Sequence, residues 1–281
     1  MSIVAEQLSP PVHLYQVVYS PETLVSVEPG YLVLDNLRNE RSDWREYWPI
    51  RRFLLNTTLD EDAFYGFFSP KFGAKTSVRP AQVAAFVRTH AARADVVLFS
   101  PQPDMGAFFL NVFEQGELFD PGLIEAYEAF LAHIGRPVAL GQLIMDSSQV
   151  VFSNYFVARP AFWRAWLTLN EAMFAVCESP DTPLPMRQAL CQPTTYPGDV
   201  QRKVFLIERA ASLLLVTQPD WRSVAYNPFG MGWSMSRFRE HPTDAVISDA
   251  LKMAFRDRHY PQYMEAFSAV RERFRAGSNP T

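Results

Sequence analysis

A tripeptide occurs twice, each time at the end of an apolar run. Phe68-Ser69-Pro70 closes residues 63–68, and Phe99-Ser100-Pro101 closes residues 94–99, with the two serines 31 positions apart. Proline has no N–H for a ladder, so each Ser-Pro ends a strand. Between the copies lies one helix signal: Pro80, then Val83, Phe86, Val87 and His90 at helical spacing. Strand, helix and strand in about 30 residues read as a βαβ unit. The unit predicts a right-handed crossover and parallel strands. Both Ser-Pro turns then leave the carboxyl edge of one sheet, where open α/β folds bind ligands. The expected class is α/β, with a mostly parallel sheet flanked by helices.

Composition narrows the partners. The formal net charge is −4 with no long run of one sign, which argues against nucleic acid. The two cysteines, Cys177 and Cys191, are too few for a disulfide framework and fit a reducing compartment. Residues 1–11 show no signal-peptide pattern, and no apolar stretch is long enough to span a membrane. A cytoplasmic protein is expected. Aromatic residues make up 14% of the chain, enough to serve both a core and the stacking of bases or sugars.

Along the chain, residues 12–19 read as the first strand, closed by Tyr19-Ser20-Pro21, where nucleotide-binding α/β folds place a first contact. Ser42 or Asp43 can cap a helix over residues 44–55, with Arg51 on its aromatic face, either paired within the fold or turned to an anion. The acidic run Asp60-Glu61-Asp62 precedes a strand and belongs to the opposite edge. The first Ser-Pro turn carries Ser69, Lys71 and Lys75 with Gly73, a basic loop suited to a diphosphate but without the glycine-rich Walker pattern. The second turn carries Ser100, Gln102 and Asp104, and a lone carboxylate there suits Mg2+ or Mn2+ on phosphates.

Further on, Glu114 and Glu117 stand three apart in an apolar segment and are candidates for general-base work or for gripping sugar hydroxyls. Asp146 precedes a strand expected over residues 149–157, whose interior spends Ser153 and Asn154 on polar groups that need partners. Residues 178–198 are Pro-rich and irregular. A helix over residues 200–216 is apolar nearly all round, and Glu208 on its apolar face must be paired or have a raised pKa. Residues 227–239, rich in Gly, Met and Trp, suit a loop that closes over a site. Two amphipathic helices follow. Arg271, Arg273 and Arg275 give the last one a basic side that could touch a membrane surface or a partner.

Taken together, several stretches resemble a family. They are Phe64-Tyr65-Gly66-Phe67-Phe68-Ser69-Pro70-Lys71-Phe72, Asp95-Val96-Val97-Leu98-Phe99, Phe152-Ser153-Asn154-Tyr155-Phe156-Val157 leading into Phe162-Trp163-Arg164-Ala165-Trp166-Leu167, and Phe205-Leu206-Ile207-Glu208-Arg209. This order resembles the GT-A-like glycosyltransferases of bacterial capsule and surface-polysaccharide clusters, over roughly residues 12–216. The resemblance implies a Rossmann-like GT-A domain over residues 12–240, a C-terminal helical extension over 241–281, a nucleotide-sugar donor, and a glycan or glycolipid acceptor. Tyr19, Ser20, Arg51, Ser69, Lys71, Lys75, Ser100 and Gln102 would hold the donor. Asp146, Ser153 and Asn154 would position sugar hydroxyls. Glu114 or Glu117 would be the base, Glu208 would position sugar hydroxyls or serve as the base in their place, and Asp104 would be the metal ligand. Such transferases commonly carry Asp-x-Asp after a central strand; here Ser100-Pro101-Gln102-Pro103-Asp104 offers one acid, so the lysines could neutralise the leaving diphosphate instead.

Overall fold

The computed structural model describes residues 9–276, and side chains as far as Arg273. Most of the leader, and the side chain of Arg275, lie outside the described residues. Six strands form one sheet: β1 (Val12–Val18), β2 (Leu32–Asp35), β3 (Phe64–Phe68), β4 (Val96–Leu98), β5 (Phe156–Ala158) and β6 (Ser223–Ala225). Their order is β2-β1-β3-β5-β4-β6. All neighbouring pairs are parallel except those of β5, which runs antiparallel between β3 and β4. β3 is buried at every position, as a strand covered on both faces must be.

One face of the sheet carries α2 (Tyr47–Asn56), α6 (Val112–Phe119), α7 (Leu123–His133), α8 (Pro160–Glu178), α9 (Leu184–Cys191) and α10 (Arg202–Thr217) over the larger core. The other face is covered by α3 (Phe72–Thr76) and α4 (Pro80–His90), with Leu14, Phe68, Val97 and Tyr155 beneath them. Two short helices, α1 (Pro21–Val25) and α5 (Pro103–Ala107), begin just past the ends of β1 and β4. Helices α11 (Pro242–Arg258) and α12 (Pro261–Ala276) pack on α5 through Met105, Phe108, Ala245 and Val270. The buried Lys252 ammonium there donates to the carbonyls of Gly106 (2.8 Å) and Phe109 (2.9 Å).

The helix between the two Phe-Ser-Pro copies forms over the expected residues, and both turns leave the same edge, since β3 and β4 both oppose β5. They are not neighbours, because β5 separates them. The strand expected over residues 149–157 shrinks to its last residues. Ser153 and Asn154 take left-handed backbone (φ 58° and 54°), which a strand interior excludes. The helix expected from residue 44 starts at Tyr47, because Arg45 is also left-handed (φ 49°). The Pro-rich stretch holds α9, and the helix expected from residue 200 starts at Arg202. The basic side of the last helix is largely tied up internally: Arg271 pairs with Glu114 (2.6 Å) and Arg273 with Asp244 (2.8 Å). No helix among the described residues is long and apolar enough to cross a membrane.

Candidate active site at the carboxyl edge of the sheet

From β1 the chain moves out to β2, then returns to β3 on the other side of β1. Neighbouring parallel strands whose connections leave in opposite directions open a crevice at their carboxyl ends. Tyr19 and Ser20 stand at the end of β1, and Ser69 at the end of β3. Because β5 is antiparallel, its amino end reaches the same edge and brings Ser153, Asn154 and Tyr155 there. At the end of β2 an open polar depression of about 350 Å³ is lined by Asp35, Asn36, Leu37, Arg38, Glu40 and Arg52.

The chemistry centres on Glu208. It lies on α10, and burial together with the nearby Glu46 carboxylate raises its pKa to about 7, against the pull of Arg209 and Lys75. It nevertheless keeps accessible surface. The carboxylate is thus crowded by protein yet still touched by solvent. Neither Glu208 nor Glu46 makes a side-chain hydrogen bond or ion pair among the described residues. Lys75 Nζ donates to Ser153 Oγ (3.0 Å) and lies 5.6 Å from the centre of the Tyr155 ring. Tyr155 is buried, shares a hydrogen bond with Ser69 (2.6 Å), and has its hydroxyl pKa raised chiefly by that burial. Asn154 Oδ1 is buried without a protein donor, at a cost of about 1–3 kcal/mol. Left-handed backbone at Ser153 adds about 1 kcal/mol or more. Unpaired acids, an unpaired amide oxygen and strained backbone thus share one edge, where stability is given up.

Arg209, the neighbour of Glu208, points the other way. Its guanidinium donates to the carbonyls of Val112 (2.9 Å) and Phe205 (2.9 Å) and to Gln115 Oε1 (2.8 Å). It lies against Gly116, where an added Cβ would stand 2.8 Å from Nη2. Arg209 locks α10 to α6 and so sets the rotation of α10 that presents Glu208 to the cleft.

Other expected site residues have structural partners. Glu114 accepts from the Leu110 N–H (2.6 Å) and from Arg271, and Glu117 accepts from the N–H groups of Gly122 (2.7 Å) and Ile124 (2.8 Å) at the start of α7. Arg51 grips Glu171 with two hydrogen bonds and stacks on Phe174 at 4.3 Å. Asp146 accepts from Ser148 and Arg256. Ser20 caps α1. Lys71 is exposed and touches no acid within ion-pair distance among the described residues. Ser100 Oγ accepts from the Phe152 N–H (3.0 Å), and the Gln102 N–H donates to the Gly232 carbonyl (2.7 Å).

Asp104 is engaged on both oxygens. It is fully buried; Oδ1 accepts from the Ser234 N–H (3.1 Å), and Oδ2 accepts from the hydroxyls of Ser234 and Ser236. It ties down the loop over residues 227–239, whose composition suits closure over a site. That loop also presses on α3: a Cβ at Gly232 would lie 2.3 Å from the Lys75 carbonyl, which only glycine avoids. The cavity left beside Ser100, Gln102, Ser147 and Asp249 measures about 20 Å³, room for one water. Both oxygens of Asp104 already accept from this loop, so it does not fit a metal site without the loop's release. Among the described residues no group of three or more His, Cys, Asp or Glu side chains is placed to hold one.

Sequence reasoning missed Glu46 and Tyr155. Glu46 read as helix interior, and only the left-handed Arg45 makes it the entry of α2 instead. Tyr155 was one aromatic among many in an expected strand; the Ser153-Asn154 polar pair beside it was the available signal. Comparison with family models, curated proteins and solved structures finds no match for this chain.

Proposed function

We propose that the chain is a glycosyltransferase that moves a sugar from a nucleotide-sugar donor to a hydroxyl of a polysaccharide, lipid-linked or protein acceptor. The observation that carries this reading is Glu208: a half-buried carboxyl whose pKa burial and Glu46 raise to about 7, with no hydrogen-bond or ion-pair partner among the described residues and within electrostatic reach of Lys75. A general base works best with its pKa near the working pH. Glu208 takes the proton of the acceptor hydroxyl as that oxygen bonds to the anomeric carbon and the bond from that carbon to the diphosphate breaks. Lys75, held by Ser153 over the Tyr155 ring, faces the negative charge that develops on the leaving diphosphate. The polar depression at the end of β2 is the place for the nucleoside. No step is routed through a metal, since Asp104 is fully engaged. Glu208 in this role belongs to an inverting transfer.

The closure of Asp104 favours a second reading, a protein that binds a nucleotide or carbohydrate without turning it over. One experiment separates the two. Purified protein is titrated with UDP, GDP, dTDP and CMP, then assayed for transfer and hydrolysis of the corresponding sugar nucleotides. The transferase reading expects binding and turnover, with Glu208→Gln retaining binding and losing turnover. Binding without turnover supports the second reading, and no binding of any nucleotide overturns both.

A further inference from the structure

We propose that Tyr196 and Phe205 form an aromatic platform for the apolar face of a pyranose ring of the acceptor, one helical turn from Glu208. Along α10, residues 202–215 are buried except Phe205 and Glu208. Residues three apart on a helix share a face, with Cβ atoms about 5–6 Å from each other. The open stripe of α10 therefore joins an aromatic ring to the carboxyl. Tyr196 extends that stripe: its ring meets the Phe205 ring edge to face, with centroids 5.5 Å apart, and the residue is 56% exposed.

The loop that carries Tyr196 is anchored on both sides. Pro193 pairs with Gln201, and the Val200 carbonyl accepts from the Thr194 N–H (3.0 Å) and from the Thr194 hydroxyl (2.8 Å). The Thr194 hydroxyl oxygen accepts in turn from the Tyr196 N–H (3.3 Å). Gly198 and Asp199 turn the chain with left-handed backbone (φ 91° and 53°). There Arg45, the residue before Glu46, donates to the Gly198 carbonyl. One short loop thus touches α10 through Tyr196 and the entry of α2 through Gly198, beside the elements that carry Glu208 and Glu46. A tyrosine on such a loop offers a broad, amphipathic surface at little cost in conformational entropy.

The C–H groups on one face of a pyranose pack on the electron-rich face of an aromatic ring, and its hydroxyls stay free for polar partners. Nucleobases stack on such rings too, so position decides between them. α10 lies on one face of the sheet, and α3, which carries Lys75, lies on the other. With the leaving diphosphate at Lys75, the sugar on the Glu208 side is the one whose hydroxyl loses its proton. Giving that ring to the acceptor rests on the transferase reading of the cleft; the affinity of the platform for a pyranose does not.

The test titrates the folded full chain with the α and β methyl pyranosides of glucose, galactose, mannose and rhamnose, read by saturation-transfer NMR. At least one should bind, with the strongest saturation on the C–H protons of one ring face. Tyr196→Ala should weaken that binding about 10-fold, and Tyr196→Phe should restore it. Tyr196 is exposed, so its truncation should leave the melting midpoint in place. Binding of none of the pyranosides, or equal binding by Tyr196→Ala, overturns the proposal. Loss of UDP, GDP, dTDP or CMP binding in Tyr196→Ala, with pyranoside binding kept, makes the platform a base-stacking surface and also overturns it. Pyranoside binding that needs Tyr196, in a chain that binds no nucleotide, supports the platform and defeats the transferase reading. Sugar transfer with an acceptor KM indifferent to Tyr196→Ala does the reverse.

Discussion

Two carboxylates near the same edge of the sheet have opposite surroundings. Asp104 follows the second Phe-Ser-Pro turn, is fully buried, and accepts from an N–H and two hydroxyls. Glu208 lies within electrostatic reach of Lys75 and Glu46, keeps some solvent, and accepts from no protein group among those described. A buried acid whose lone pairs are filled holds a fold together. A crowded acid left without partners raises its pKa and weakens the fold, and such groups cluster where chemistry is done. The same pair separates the two copies of the tripeptide. Behind Ser69 lie Tyr155 and Lys75; across Ser100 and Gln102 lies a loop pinned by Asp104.

The sharpest way to break this contrast is Glu208→Gln. If Glu208 is the base, turnover should drop by about 100- to 10,000-fold while nucleotide affinity stays, as single-turnover and titration measurements would read. A loss of only a few-fold would return Glu208 to a structural role. The matching change on the other side is Asp104→Ala. It leaves the buried Ser234 N–H without its acceptor and frees the loop, and should lower unfolding free energy by about 3 kcal/mol in denaturant melts. An unchanged midpoint would mean that the loop is held by other contacts.

A third measurement compares stability with pH. Glu208 is raised from its ordinary 4.5 to about 7, so the folded chain binds that proton more tightly than the unfolded chain does. Its favourable contribution is complete below about pH 4.5 and is lost as pH rises through about 7. Glu208→Gln should thus gain on the wild type as pH rises, by at most about 3 kcal/mol at pH 8, less where solvent reaches the carboxylate. A constant difference from pH 5 to pH 8 would remove the argument for a poised carboxyl. The smallest expected effect is at Lys71, exposed and without an acid partner: Lys71→Ala should move stability by no more than about 0.5 kcal/mol in the same melts.

Part of this was legible in the chain. The Phe-Ser-Pro echo located two strand ends and the helix between them, and proline with helical spacing is a local signal. Glu208 stood out because a carboxylate in a nearly all-apolar helix has few places to go. Glu114 and Glu117 read as stronger candidates than Glu208, yet both serve backbone N–H groups at helix starts, a use that depends on which turn folds back on them. Asp104 was placed at the right edge, but its partners, Ser234 and Ser236, come from about 130 residues away. Glu46 could not be read at all while Arg45 was taken as helical.

What the sequence alone determined is what short-range chemistry dictates: apolar runs that become strands, prolines that end them, and the α/β class that their alternation implies. What only the tertiary structure decided is which polar groups meet. β5 enters antiparallel between the two echoing strands, so Ser153, Asn154 and Tyr155 arrive at the ligand-binding edge. That insertion brings Ser153, which holds Lys75, to this edge, and the loop that carries Ser234 and Ser236 folds back to close Asp104 while Glu208 keeps its solvent. Both depend on contacts between residues far apart in the chain, and pairing over such separations leaves no local pattern to read.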